Sequence, residues 1–179
     1  DDTLANTEML QTKLASQVIK EIFFERFRKE LTDRFHKFSL QKKKKHSSTG
    51  DGETKDLQEE RRRTILKARI LVGLSVCSKA LLSESNNAGL DLIVLSSDYQ
   101  PAHFSVHVPI LARQRNIPLL LLPNASVEMG NLLGVKCAGV MAFTTATEKA
   151  ANKNAAGCNE TEINEAVDSF VNFVKSKIE

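Results

Sequence analysis

Aromatic residues other than phenylalanine are almost missing from this 179-residue chain, which has no Trp and one Tyr against nine Phe. Cysteine is scarce as well. Cys77, Cys137 and Cys158 are an odd count with no C-x-x-C pair. This excludes a disulfide framework and a cysteine zinc site, and it favours a reducing compartment. No apolar run approaches the roughly 20 residues of a membrane helix, and the opening Asp1-Asp2-Thr3 does not read as a signal peptide. Charge of one sign is not in large excess: 25 Lys+Arg meet 22 Asp+Glu, a net charge of +3. As a total this is too small to imply a polyanionic partner. Charged residues at 26% and hydrophobic residues at 41% are ordinary for a globular protein. The length suits one domain of about 100–150 residues plus an extension.

The motifs of the common enzyme classes are absent too. No G-x-G-x-x-G follows a strand, and neither G-x-x-x-x-G-K-[ST] nor G-x-S-x-G occurs. His103 and His107 stand four apart, a spacing that can hold a metal on a helix face. No glutamate of a zinc hydrolase and no third ligand accompanies them, so a packed, hydrogen-bonded pair is expected. Cys77 and Cys137 lack a neighbouring histidine or acid to lower a thiol pKa and read as small buried residues. No cofactor and no metal is expected.

The positive charge is concentrated. Between His36 and Arg69 come Lys37, Lys42, Lys43, Lys44, Lys45, Lys55, Arg61, Arg62, Arg63, Lys67 and Arg69. The stretch 46–52 between the clusters is small, polar and glycine-bearing, so residues 41–60 read as a flexible basic linker. Two basic clusters invite a nuclear-import or phosphate-binding reading, and a solvated linker is the plain alternative.

Before the linker, residues 7–38 read as one long helix without Gly or Pro, with an apolar stripe at Leu10, Leu14, Val18, Ile22, Phe27, Leu31, Phe35 and Phe38. Phe23 and Phe24 bring the phenylalanines here to five, more than one stripe needs. Packing on the chain's own domain is the favoured expectation; contact of Phe23, Phe24 and Phe27 with a protein partner is the functional one.

After the linker, short apolar runs alternate with helical segments. Strands are expected at 68–72, 90–95, 117–122 and 137–143, the 90–95 run being too short and β-branched for a helix. Helices are expected at 74–83, from Pro101 to Arg115 with a kink or a broken first turn at Pro109, from Ser126 to about Leu133, and from Asn159 onward. Asn116 and Gly134 read as C-terminal caps. The last helix carries the stripe Ile163, Val167, Phe170, Val171 and Val174. The expected architecture is α/β: a three-layer α-β-α sandwich around a small mixed sheet, with a helical extension over 1–40, the linker over 41–60 and the α/β domain over 61–179.

The residues Gly73-Leu74-Ser75-Val76-Cys77-Ser78-Lys79-Ala80-Leu81, then Leu92-Ile93-Val94-Leu95-Ser96-Ser97-Asp98, Pro101, His107-Val108-Pro109-Ile110-Leu111 and Asn116-Ile117-Pro118 resemble the kink-turn RNA-binding superfamily. Its members are found in archaeal and eukaryotic ribosomes and in box C/D and box H/ACA particles. The block 134–143, the N-terminal extension and the basic linker are most similar to the member of nuclear ribonuclease P and ribonuclease MRP.

The resemblance implies a non-catalytic RNA-binding subunit, nuclear or nucleolar, that clamps a bent RNA element while the RNA performs the chemistry. Core proteins of a box H/ACA or C/D particle or the ribosome, and a protein-interaction scaffold with a degenerate RNA site, are the alternatives. The implied RNA-facing residues are Lys67, Arg69, Gly73, Ser75, Val76, Lys79, Lys136, Cys137, Ala138 and Gly139. A helix beginning after Gly73 would offer unsatisfied N–H groups to phosphate. Lys79 would reach a base edge or phosphate, Lys67 and Arg69 would add charge, and residues 136–139 would shelter an extruded nucleotide. The family usually carries Asn-Glu where this chain has Ser75-Val76. Valine cannot accept from a guanine, and one lost base contact costs roughly 1–3 kcal/mol of discrimination.

Overall fold

The computed structural model describes residues 15–33, 64–83, 89–98, 106–145 and 159–178. The expectations for the linker, for Lys42–Lys45 and Arg61–Arg63, for Pro101 and His103 and for Cys158 lie outside the described residues. In chain order come α1 (Gln17–Phe27), which runs on into π-helical turns (Arg28–Asp33), a helix over 64–69 (α2), β1 (Ile70–Val72), α3 (Leu74–Leu82), β2 (Leu90–Ser96), α4 (His107–Gln114), β3 (Leu119–Leu122), α5 (Ser126–Leu133), β4 (Val140–Thr144) and α6 (Asn159–Ile178).

The sheet order is β1-β4-β2-β3, with β2 parallel to β3 and β4 antiparallel to both β1 and β2. Successive strand side chains point to opposite faces. Leu92, Val94, Leu120, Leu122, Met141 and Phe143 therefore enter one core with α1, α5 and α6. Ile93, Leu95, Val140 and Ala142 enter a second core with Cys77 and Leu81 of α3 and Val108 and Ala112 of α4. Because both faces are covered, β2 and β4 are apolar at every core position instead of alternating. The mixed sheet and its three layers match the architecture expected from the sequence.

The described part of the N-terminal helix packs in cis, as favoured from the sequence, and departs from the expected stripe at Val18; Leu10, Leu14, Phe35 and Phe38 lie outside the described residues. Ser16 accepts from the Ile19 N–H at 3.3 Å and caps α1. Val18 is 62% exposed, whereas Phe23, Phe24, Phe27 and Leu31 are buried. Phe23 and Phe27 stack edge-on with Phe170 at 5.3 and 5.5 Å between centroids, and Phe27 meets Phe143 of β4 at 6.5 Å. Each such pair adds about 0.5–1.5 kcal/mol to burial of about 1.5–3 kcal/mol per ring. The reading of Phe23, Phe24 and Phe27 as a partner surface is thus corrected: all three are buried, Phe23 and Phe27 against α6, and Phe24 edge-on against Phe23. All five stripe residues of α6 are buried.

Among the described residues α4 begins at His107, and the expected helix start at Pro101 lies outside them. Pro109 lies in the first turn of α4, where its missing N–H has no intrahelical partner to lose. Asn116 follows α4 at φ 54° and Gly134 follows α5 at φ 68°, so both caps adopt the left-handed conformation expected of them.

Candidate nucleic-acid interface

The register places the C-terminal ends of β1, β2 and β3 beside the N-terminal end of β4, since Val72 faces Met141, Leu95 faces Val140 and Ser96 faces Leu122. Such an edge is where open α/β sheets offer their loops to ligands. Two segments converge here. The Gly73 N–H donates to the Val140 carbonyl at 2.9 Å, tying the start of α3 to the segment 136–139 that leads into β4. The Ser96 N–H donates to the Gly139 carbonyl at 2.8 Å from the other side.

Gly73 stands at φ 100°, ψ 147° as the residue before α3. Nothing lies within 4 Å of where its Cβ would be, so the backbone conformation requires glycine and crowding does not. The space in front of the helix start is open. Cys77 and Leu81 anchor the inner side of α3, which leaves Ser75, Val76 and Lys79 exposed on its outer side. Val76 is 47% exposed, a large apolar side chain at the mouth of the site.

Two backbone hydrogen bonds tie the loop after α5 to that helix. The Val135 N–H donates to the Gly130 carbonyl and the Ala138 N–H to the Ser126 carbonyl, each at 2.9 Å. Lys136 and Cys137 are exposed, while Ala138 and Gly139 are buried. Ala138 and Gly139 therefore shape the loop and leave its outer surface to Lys136 and Cys137. The expectation of a buried Cys137 is corrected by its exposure, whereas Cys77 is fully buried, and burial pushes its thiol up to about 12. His107 Nε2 lies 2.8 Å from Ser78 Oγ, which joins α4 to α3.

Lys67 and Arg69 do not join this cluster. Lys67 is exposed on α2, three residues before β1 begins, and β1 separates it from Gly73 by about 10 Å of strand. Arg69 is corrected outright. It is 4% exposed, donates to Asn164 Oδ1 at 3.3 Å and pairs with Asp168 of α6. Its proximity to Gly73 in sequence is reversed by the strand between them.

Three groups escaped the sequence reading. Ser96, Ser97 and Asp98 at the end of β2 grip the start of α5. Ser97 Oγ accepts from Asn124 N at 3.1 Å, and Ser96 Oγ accepts from Ala125 N at 2.8 Å. Asp98 accepts from Ser126 N at 3.2 Å and Ser126 Oγ at 2.7 Å, and also from Ser96 Oγ. Partial burial raises the Asp98 carboxyl, but the hydrogen bonds from Ser96 and Ser126 outweigh it, and the net shift is below the usual carboxylate range. Gly130 touches the loop backbone, for an added Cβ would lie 2.6 Å from Cys137 Cα; a lone Gly inside a helical pattern is its only sequence signal. Lys20, 7% exposed, reaches α5 from α1.

The profile of the ribosomal protein L7Ae/L30e/S12e/Gadd45 family matches residues 55–154. The chain is 29% identical over 69 residues to the 13 kDa ribonucleoprotein-associated protein of Debaryomyces hansenii, over 38% of this chain and 54% of that protein. The chain thus spans about half the length of the curated relative it matches. Among solved structures it is similar to the Giardia lamblia 15.5kD RNA binding protein, at 15% identity and a TM-score of 0.43, covering 72% of this chain and 92% of that one.

Proposed function

As the chain belongs to the ribosomal protein L7Ae/L30e/S12e/Gadd45 family, we propose that it is a non-catalytic RNA-binding protein and a subunit of nuclear ribonuclease P/MRP. Its site is the edge formed by Gly73, Ser75, Val76 and Lys79 with Lys136 and Cys137. The observation that carries the reading is the convergence of an open helix start, freed of a side chain by Gly73, with a hydrogen-bonded loop bearing Lys136. The free N–H groups of a helix start attract phosphate, and exposed Lys79 and Lys136 flank the site. The name of the Debaryomyces relative, ribonucleoprotein-associated, supports RNA as the partner. Exposed Val76 in place of a base-reading acid favours recognition of a bent RNA by shape, within a particle that positions the protein.

The ribonuclease P/MRP assignment rests on the resemblance of residues 134–143 and on the N-terminal extension with its basic linker. Nuclear, nucleolar localisation belongs to the same reading. Titration of the full chain with a kink-turn RNA at several salt concentrations tests the site. Lys79→Ala with Lys136→Ala is expected to lower both affinity and the salt slope, by about 2 in slope if each lysine meets one phosphate. An unchanged slope refutes the surface. Sequencing RNA crosslinked to the protein in cells tests the particle. Recovery of box H/ACA, box C/D or ribosomal RNA in place of ribonuclease P or MRP RNA refutes the assignment.

A further inference from the structure

Among the described residues, the backbone bonds of residues 135–138 run to α5, while the neighbouring Gly139 and Val140 are held by Ser96 and Gly73. Val135 N–H donates to the Gly130 carbonyl, Ala138 N–H donates to the Ser126 carbonyl, and Cys137 lies against Gly130. The position of α5 therefore sets the half of the loop that bears Lys136, and the strand end sets the other half. The start of α5 is in turn gripped from two sides. Ser96, Ser97 and Asp98 at the end of β2 hold residues 124–126 from within the sheet. The second grip comes from the N-terminal helix. Lys20 Nζ donates to the Asn124 carbonyl at 3.1 Å and pairs with Glu128 Oε1 at 2.8 Å.

This second grip is built against local electrostatics. A cation beside a helix N-terminus opposes the macrodipole, and a buried ammonium without partners is costly. Glu128 in the first turn and the carbonyl of Asn124, a residue at φ 44°, supply what the buried Lys20 needs. The Phe24 ring face, 5.9 Å from Nζ, adds to it. A solvated position for Lys20 would satisfy the charge equally well. Its burial makes sense as a tie between α1 and the Asn124 turn.

From this chain of contacts we infer that Lys20 is a positioning residue for RNA binding: α1 holds the Asn124–Glu128 turn, and through α5 sets the loop bearing Lys136. The inference rests on the RNA-binding reading of that loop, and it assigns the N-terminal helix a part in recognition that needs no contact with RNA. Releasing the grip lowers the fraction of molecules whose loop is in the binding-competent position, and affinity falls in proportion.

The experiment uses the full chain and Lys20→Met, which keeps the aliphatic stem, with Lys20→Arg and Glu128→Gln as companions. Hydrogen exchange of the Ala138 amide is measured without RNA, beside the amides of the β2–β4 ladder as a measure of global stability. Affinity and salt slope are then measured with the same kink-turn RNA. In K20M the Ala138 amide is expected to exchange faster by more than the ladder amides do. K20M affinity is expected to fall about three- to tenfold with the salt slope unchanged, because no phosphate contact is lost. Glu128→Gln shifts both readings in the same direction by less, and Lys20→Arg restores them.

Equal acceleration of Ala138 and ladder amides, or none, overturns the inference. A reduced salt slope in K20M also overturns it, since Lys20 would then touch RNA directly. If the unsubstituted chain binds no kink-turn RNA, the RNA reading fails by itself, and the Ala138 exchange still decides whether Lys20 positions the loop.

Discussion

Gly130→Ala separates helix propensity from tertiary packing by the sign of one measurement. In an isolated helix the substitution stabilises by about 1 kcal/mol. Here the added Cβ would lie 2.6 Å from Cys137 Cα, 2.8 Å from Cys137 N and 2.9 Å from the Val135 carbonyl oxygen, against ordinary contacts of about 3.5–4.0 Å. All three atoms are backbone, so no side chain can rotate away. Relief requires the segment 135–137 to move by about 1 Å, which strains its bonds to Gly130 and Ser126. Overpacking of this kind costs about 1–3 kcal/mol, and a weakened hydrogen bond adds about 1 kcal/mol. Set against the propensity gain, the expected net loss is about 1–3 kcal/mol. Urea unfolding of the purified chain reads it as a lower midpoint at unchanged slope, and thermal unfolding as a drop of about 2–4 °C per kcal/mol for a chain of this size. An unchanged or raised midpoint would refute the claim that the loop backbone rests on Gly130.

Arg69→Met is expected to destabilise by about 1–3 kcal/mol in the same denaturation assay, towards the low end because half-exposed Asp168 can return to water; its RNA salt slope should match that of the unsubstituted chain, and a lower slope would restore Arg69 to the interface. Asp98→Ala removes the grip on Ser126 and should cost about 0.5–2 kcal/mol at neutral pH, as other caps do. The folded carboxyl titrates below its unfolded value, so its stabilisation is full above the ordinary carboxyl pKa of about 3.9 and is lost as pH falls through the depressed folded value. The stability gap between the unsubstituted chain and Asp98→Ala should therefore close in acid, and a gap that widens there contradicts the assignment. Alkylation of the native chain at mildly alkaline pH, mapped by mass spectrometry, should label Cys137 and spare Cys77, whose thiol is buried and raised to about 12; equal labelling would contradict the burial of α3.

Much of the fold was legible because strand and helix periodicity are local. The apolar runs around Val94, Leu121 and Met141 became strands, Gly134 and Asn116 became left-handed caps, and the stripe from Ile163 to Val174 became the buried side of α6. The face of α1 was misread at Val18 because an apolar residue within the helical spacing need not meet a neighbour, and only the positions of Phe143 and Phe170 determine which face is covered. Of the proposed interface, Gly73, Ser75, Val76 and Lys79 were legible as one helix start, and Lys136 as a loop residue. That Arg69 turns away to α6 was not legible, because its partners Asn164 and Asp168 lie 95 and 99 residues further along the chain.

The scarce and odd cysteines excluded a disulfide framework, and the order of apolar runs set the architecture, since both are properties of composition and spacing. Which end of the sheet gathers the loops, which basic residues face outward there, and what holds them in place were decided only by tertiary structure. Strand pairing brings residue 73 to residue 140, and a buried lysine from residue 20 reaches the turn at residue 124. Contacts between residues so far apart are chosen by packing and hydrogen-bond satisfaction across the assembled core, and no local pattern encodes them.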